Sequence, residues 1–154
     1  MSELLLEGVD AAEVSWGRRP TSSSATVLGD LHGVLASRGG TLAQVRHGRR
    51  AAELYARAVQ LDPRNPLAHV GVGISMLKTP VLFGGDPERA LSEFRKAQLL
   101  DPHCTRAWVW EGIALRRAGH VRQARAALAY ALTLDPGNQH ARTSLDALDQ
   151  DFPE

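Results

Sequence analysis

Three times the chain runs through an alanine-rich segment and ends it on Leu-Asp-Pro. The stops are Leu61-Asp62-Pro63, Leu100-Asp101-Pro102 and Leu134-Asp135-Pro136, and the segments closing on them read AAELYARAVQLDP, ALSEFRKAQLLDP and ARAALAYALTLDP. Small residues recur at Ala51 and Ala58, Ala90 and Ala97, Ala124 and Ala131, with Tyr55, Phe94 and Leu128 between them. Spacings of three and four residues place these side chains on one face of a helix. The small ones let a neighbouring helix come close, the large one fills the space beyond, and the proline stops the helix. The second and third prolines are 34 residues apart and the first two 39, a surplus of five. A period of this length constrains the fold strongly. One such unit cannot bury its own apolar face, so successive units must stack.

The last unit reads Trp108-x-x-Glu111-Gly112-x-x-Leu115, then Ala124-x-x-x-Leu128, then Pro136. The middle unit reads Ala68-His69-x-x-x-Gly73-x-x-Met76, then Ala90-x-x-x-Phe94, then Pro102. From about Arg46 to Pro136 the chain resembles the tetratricopeptide repeat. Two residues depart from that pattern. His69 stands where the repeat has tryptophan and is expected to pack; Glu111 stands where it has leucine. A lone buried carboxylate is costly, so Glu111 is expected to reach solvent or an arginine. The resemblance implies an all-α, right-handed superhelix (α-solenoid) of stacked antiparallel helix pairs. About three repeats fall at roughly 25–63, 66–102 and 105–136, with a capping helix at roughly 138–149 and an N-terminal segment and linker over 1–24.

Ahead of the clear repeats, ATVLGDLHGVLASRG is expected to be helical, with Val27, Leu28, Leu31, Val34 and Leu35 on one stripe. Gly39-Gly40 should end it and Thr41 cap the next helix. GRRPTSSSA, residues 17–25, has the composition of a linker. Residues 3–16 are expected to form a short helix that tucks Trp16 against the first repeat. The terminal stretch NQHARTSLDALDQD offers Ala141, Leu145 and Leu148 on one face and polar residues elsewhere, as a capping helix requires.

The surplus of five residues falls in KTPVLFGGDPERA, between the two helices of the middle repeat. The stretch resembles an insertion, TP-x-x-F-G-G-D, of some bacterial tetratricopeptide proteins. Asp86 suits an N-cap, Pro87 the first helical position and Glu88 the positive end of the helix dipole. Gly84-Gly85 suit a tight turn with positive φ. A phosphate loop would close on Gly-Lys-Ser/Thr, whereas here Asp86 and Glu88 would repel an anion. Val81, Leu82 and Phe83 either fold back over the helices or form an exposed partner contact.

No constellation for catalysis emerges. The six histidines show no paired helical spacing with an acidic ligand, so no metal site is expected; Cys104 has no base or orienting group beside it. No cofactor is expected either. With 18 basic and 17 acidic residues there is no electrostatic case for nucleic acid, and no stretch approaches the roughly 20 apolar residues of a membrane span. One cysteine and an acidic, interrupted N-terminus fit a soluble cytoplasmic protein.

In the tetratricopeptide family the first helix of each pair lines a concave groove. That likeness implies a lining of Leu67, Val70, Gly71, Ile74, Arg106, Val109, Trp110 and Ile113, with Lys78, Arg116 and Arg117 at one edge. Valine, glycine and isoleucine stand where chaperone-binding members place the lysines and asparagines that grip a peptide carboxylate, which argues against that mode. Trp108 should face the neighbouring helix and Trp110 the groove. The expected function is a non-catalytic adaptor that binds a peptide or helix of another protein in an apolar groove. The alternative is a self-associating module, a homodimer through the same strip.

Overall fold

The computed structural model describes residues 3–153. Met1 and Ser2 of the expected N-terminal segment lie outside them. The described chain is all helical: α1 (Glu3–Arg18), α2 (Ser22–Arg38), α3 (Thr41–Leu61), α4 (Pro66–Lys78), α5 (Pro87–Leu100), α6 (Thr105–Arg117), α7 (Val121–Leu134) and α8 (Gln139–Asp151), with one 3-10 turn at Val81–Phe83. Among the described residues there is no strand.

Each helix packs on the next, most extensively within the pairs α2/α3, α4/α5 and α6/α7. The even-numbered helices also touch one another along the array, α2 on α4, α4 on α6 and α6 on α8, whereas α3, α5 and α7 do not meet. One set converges and the other splays, so the stack bends with the even helices on its inner, concave side. The α1 helix packs on α2 as α3 does on α4. It therefore takes the place of a second helix in a pair, with Trp16 against Ala25, Ala58 and Ala68.

The repeated small–large–small face forms the core. Ala51, Ala58, Ala90, Ala97, Ala124 and Ala131 are buried, as are Tyr55, Phe94 and Leu128 between them. Each large side chain enters a space left by glycine on the partner helix. A Cβ on Gly73 would come 2.5 Å from the Phe94 ring, one on Gly112 2.6 Å from Leu128 and one on Gly29 2.7 Å from the Tyr55 ring, which also fills the space at Gly71 of the next helix, α4.

A second regularity is polar. Four residues beyond each cap of α4, α6 and α8, a side-chain N–H donates to the carbonyl of the preceding Leu-Asp-Pro proline. His69 Nε2 reaches Pro63 O at 2.8 Å, Trp108 Nε1 reaches Pro102 O at 3.0 Å and Arg142 Nη2 reaches Pro136 O at 2.8 Å. His69 is buried, as expected, and its Nδ1 lies 2.6 Å from Glu93 Oε2. Glu111 is also buried and finds an arginine, Arg95 Nε at 3.0 Å, with Gln98 Nε2 at 2.6 Å.

Three local expectations need correction. The serine run is not linker: α2 begins at Ser22, and Thr21 and Ser24 form a reciprocal capping box, so only residues 19–21 separate α1 from α2. The α2 stripe is not Val27-Leu28-Leu31-Val34-Leu35. Val27 and Val34 are exposed, and the buried face runs through Ala25, Leu28, Gly29, His32 and Leu35, because Tyr55 from α3 occupies the space above Gly29. Thr41 is the first residue of α3 rather than its cap; Gly40 takes the cap position with no side-chain bond.

The insertion is an ordered turn. Asp86 caps α5 through Arg89 N at 2.9 Å with Pro87 following, and Asp86 N is tied to Met76 O at 3.2 Å. Only Gly84 takes positive φ in this turn, at 92°. Gly85 is there for proximity, since a Cβ would run into the Thr79 carbonyl. Val81, Leu82 and Phe83 do not fold back; they are 71%, 88% and 76% exposed. Replacing all three with serine is therefore expected to leave cooperative thermal unfolding intact, changing stability by no more than about 0.5 kcal/mol per site. A collapse of the transition in differential scanning calorimetry would place them in the core instead.

Candidate functional site

Counting from the caps Thr21, Asn65, Cys104 and Asn138 puts the four inner helices in one register. Positions two, six, nine and thirteen residues beyond each cap follow a helical stripe. On α2 these are Ser23, Val27, Asp30 and Val34; on α4 Leu67, Gly71, Ile74 and Lys78; on α6 Arg106, Trp110, Ile113 and Arg117. On α8 the first of them is His140.

Not all the expected lining reaches the surface. Val70 and Val109 are buried, and Ile74 and Ile113 nearly so, within the cluster that joins α4, α5, α6 and α7. These four support the face from below. Leu67 is exposed, Gly71 is occupied from beneath by Tyr55, and Arg116 turns to Asp151 of α8 at 3.8 Å. Trp110, Lys78, Arg117 and Arg106 are brought together. Trp110 is partly buried, with Lys78 Nζ 5.4 Å from its ring centroid and the His140 ring edge-on at 5.2 Å. Trp108 packs edge-on against Tyr130 of α7 at 4.5 Å, facing its neighbouring helix.

The electrostatics of the face are one-sided. Burial lowers the Lys78 ammonium's pKa, and Arg117 and Arg106 lower it further; burial likewise lowers His140, with Lys78 and Arg106 adding to it. Among the described residues Arg117 donates only to the Leu77 carbonyl, at 3.2 Å. Neither Lys78 nor Arg117 has a carboxylate within ion-pair reach among the described residues.

Arg106 is the exception. Its Nη1 and Nη2 lie 2.7 Å and 2.6 Å from the two oxygens of Asp30, on α2. Tyr55 donates to Asp30 Oδ1 at 2.7 Å. The bond to Asp30 raises the Arg106 pKa further, while burial and then the Asp30 charge push the Tyr55 phenol far above its ordinary range. Asp30 and His140 did not stand out in the sequence, and Tyr55 stood out only as a core residue of the repeat. The register shared by Arg106 and His140 would have found the histidine; the Asp30 pair, 76 residues apart, carries no local signal.

The fold has known relatives. A thermophilic TPR protein of Thermus thermophilus superposes with a TM-score of 0.76, at 17% identity, over 94% of this chain and 73% of that one. The chain has the tetratricopeptide-repeat fold. The sequence model of the tetratricopeptide repeat family matches residues 82–145, from the insertion into α8. Mouse tetratricopeptide repeat protein 28 is 33% identical over 86 residues, 56% of this chain, which spans only 3% of that relative's length. The second TPR domain of human RPAP3, solved with the HSP70 peptide SGPTIEEVD, is 25% identical with a TM-score of 0.57, covering 79% of this chain and 98% of that one. Tetratricopeptide repeats are protein-interaction modules. Among the described residues no helix is long and apolar enough to cross a membrane.

Proposed function

We propose that this chain is a non-catalytic adaptor whose concave face takes a segment of another protein. The segment seats an acidic residue between Lys78 and Arg117 against the Trp110 ring. The observation that carries this reading is the pair of cations without carboxylate partners among the described residues, one of them, Lys78, over the ring of a part-buried tryptophan. A carboxylate there would offset the burial and the cation repulsion that together lower Lys78, and the indole supplies apolar area and a cation–π contact. Exposed Val27, Val34 and Leu67 offer an apolar continuation toward α2. The ligand is thus acidic at one point and apolar beside it, a narrower specification than the apolar groove read from sequence. A tetratricopeptide neighbour solved with an acidic peptide is compatible with this mode.

Selection from a random peptide library tests the reading. The enriched sequences are expected to pair Asp or Glu with a bulky apolar residue. Their affinity should fall about tenfold or more in the Lys78→Gln/Arg117→Gln variant, from loss of two charge-assisted contacts. Trp110→Ala should weaken binding with the fold retained. Enrichment of sequences without acidic residues, or indifference to the double variant, overturns it. Light scattering on the same proteins checks the self-associating alternative, which predicts a concentration-dependent mass lost in Trp110→Ala.

A further inference from the structure

We infer that Asp30 is a built-in competitor for the concave face: its carboxylate holds Arg106 in a latch laid across α4, and an acidic ligand reaches Arg106 only by displacing it. The inference rests on the acidic-ligand reading proposed above and adds a regulator to it.

The geometry singles this pair out. The backbones of α2 and α6 do not approach each other; α4 lies between them. The ion pair therefore spans a whole helix, and the concave position of α4 at this level is Gly71, which presents no side chain. Tyr55 enforces that gap from below, since its ring leaves no room for a Cβ on Gly71. Its hydroxyl then emerges to hold the same Asp30 oxygen that Arg106 grips. A glycine, a tyrosine and an aspartate from three helices thus cooperate to keep one arginine bound.

The latch is built to open. The two side chains are 36% and 33% exposed, so water and solutes reach both. The pair is bidentate and only partly buried, so it holds Arg106 while no ligand is present, and exchanging one carboxylate for another at the guanidinium is close to neutral. Asp30 does not lose every partner when Arg106 leaves, because Tyr55 still donates to it. A ligand with a single carboxylate is satisfied at Lys78 and Arg117 and leaves the latch closed. A ligand with several finds Arg106 as a further cation. Asp30 thereby discriminates against weakly acidic segments.

Fluorescence anisotropy with labelled hexaglutamate, and hexaglutamine as the uncharged control, tests this on the full chain at low salt. Asp30→Asn keeps an acceptor for Tyr55 but removes the competing charge. It is expected to bind hexaglutamate about fivefold more tightly than wild type, the upper scale of one partly exposed charge pair. Adding Arg106→Gln should erase the gain, and hexaglutamine should bind neither protein. Equal or weaker binding by Asp30→Asn, or a gain that survives Arg106→Gln, overturns the latch. The parent reading fails separately, if Lys78→Gln/Arg117→Gln binds hexaglutamate as well as wild type does. Absence of binding by every variant overturns both. A second measurement needs no change at Asp30. In nitrogen-15-labelled wild type, the Arg106 Nε–H resonance, assigned by its loss in Arg106→Lys, should move on saturation with hexaglutamate. A resonance fixed at saturation overturns the latch.

Discussion

Phe94→Ala is expected to destabilise the protein by about 3–5 kcal/mol, the cost of deleting a fully buried aromatic from a core. Phe94 has no exposed surface, and its ring lies over Gly73 of α4. Glycine cannot extend to refill the vacated volume, so the cavity persists rather than collapsing. The position also decides cooperativity. In a stacked array each unit contacts only its neighbours, and Phe94 sits in the middle pair α4/α5. Its loss should uncouple the ends. Urea unfolding followed by tryptophan fluorescence in Trp16-only and Trp110-only proteins, two transitions that coincide in wild type, should separate in the variant. Coincident transitions with a loss under about 1 kcal/mol would show that the middle pair is not the joint.

His69→Leu is the second large effect, at about 2–4 kcal/mol. Leucine fills much of the space but strips two acceptors of a partner: the part-buried Pro63 carbonyl and the buried Glu93. Lys96, at 3.1 Å and half exposed, is left to hold Glu93 alone. The effect has a definite pH dependence. Burial pushes the Glu93 carboxyl up, but hydrogen bonds from His69 and Lys96 outweigh it and hold the group below the usual carboxylate range. A depressed folded pKa contributes stability that is present above the unfolded glutamate value of about 4.3 and is lost as pH falls through the folded one. The gap between wild type and His69→Leu, measured by urea titration, should therefore be open above that value and narrow at lower pH. A gap that widens on acidification would mean that Glu93 is not the group responsible.

How much of this was legible depends on how far apart the informative residues lie. The Leu-Asp-Pro stops and the small–large–small face are local, and they were enough for the all-α stacked architecture and for the cap at Asp86. The insertion's outward side chains were not decidable, since three apolar residues in a loop read the same whether they turn in or out. The serine run misled because a capping box and a linker share a composition; only the Thr21–Ser24 pairing tells them apart. The α2 stripe misled for a tertiary reason. Tyr55, from the next helix, supplies the bulk that α2 lacks at Gly29, so the buried face of α2 is the one with the small residue. On the concave side the sequence picked out Lys78, Arg106, Trp110 and Arg117. It overstated the apolar share by counting Val70 and Val109, five residues beyond their caps, which helical geometry turns toward the core. Asp30 was out of reach, because its meaning comes from an arginine two helix pairs away.

The bonds to the three proline carbonyls have a consequence for how degeneracy in such arrays is understood. Histidine, tryptophan and arginine share neither charge, shape nor hydropathy, yet each delivers one N–H to the same oxygen. What recurs at that position is a reach and a proton, not a ring. A glutamine there, long enough and carrying an amide donor, belongs to the same set; a phenylalanine, nearest to tryptophan in bulk, does not. An alphabet sorted by what a side chain can donate at a given length would group these residues together. Units that look eroded when sorted by aromaticity would then read as intact.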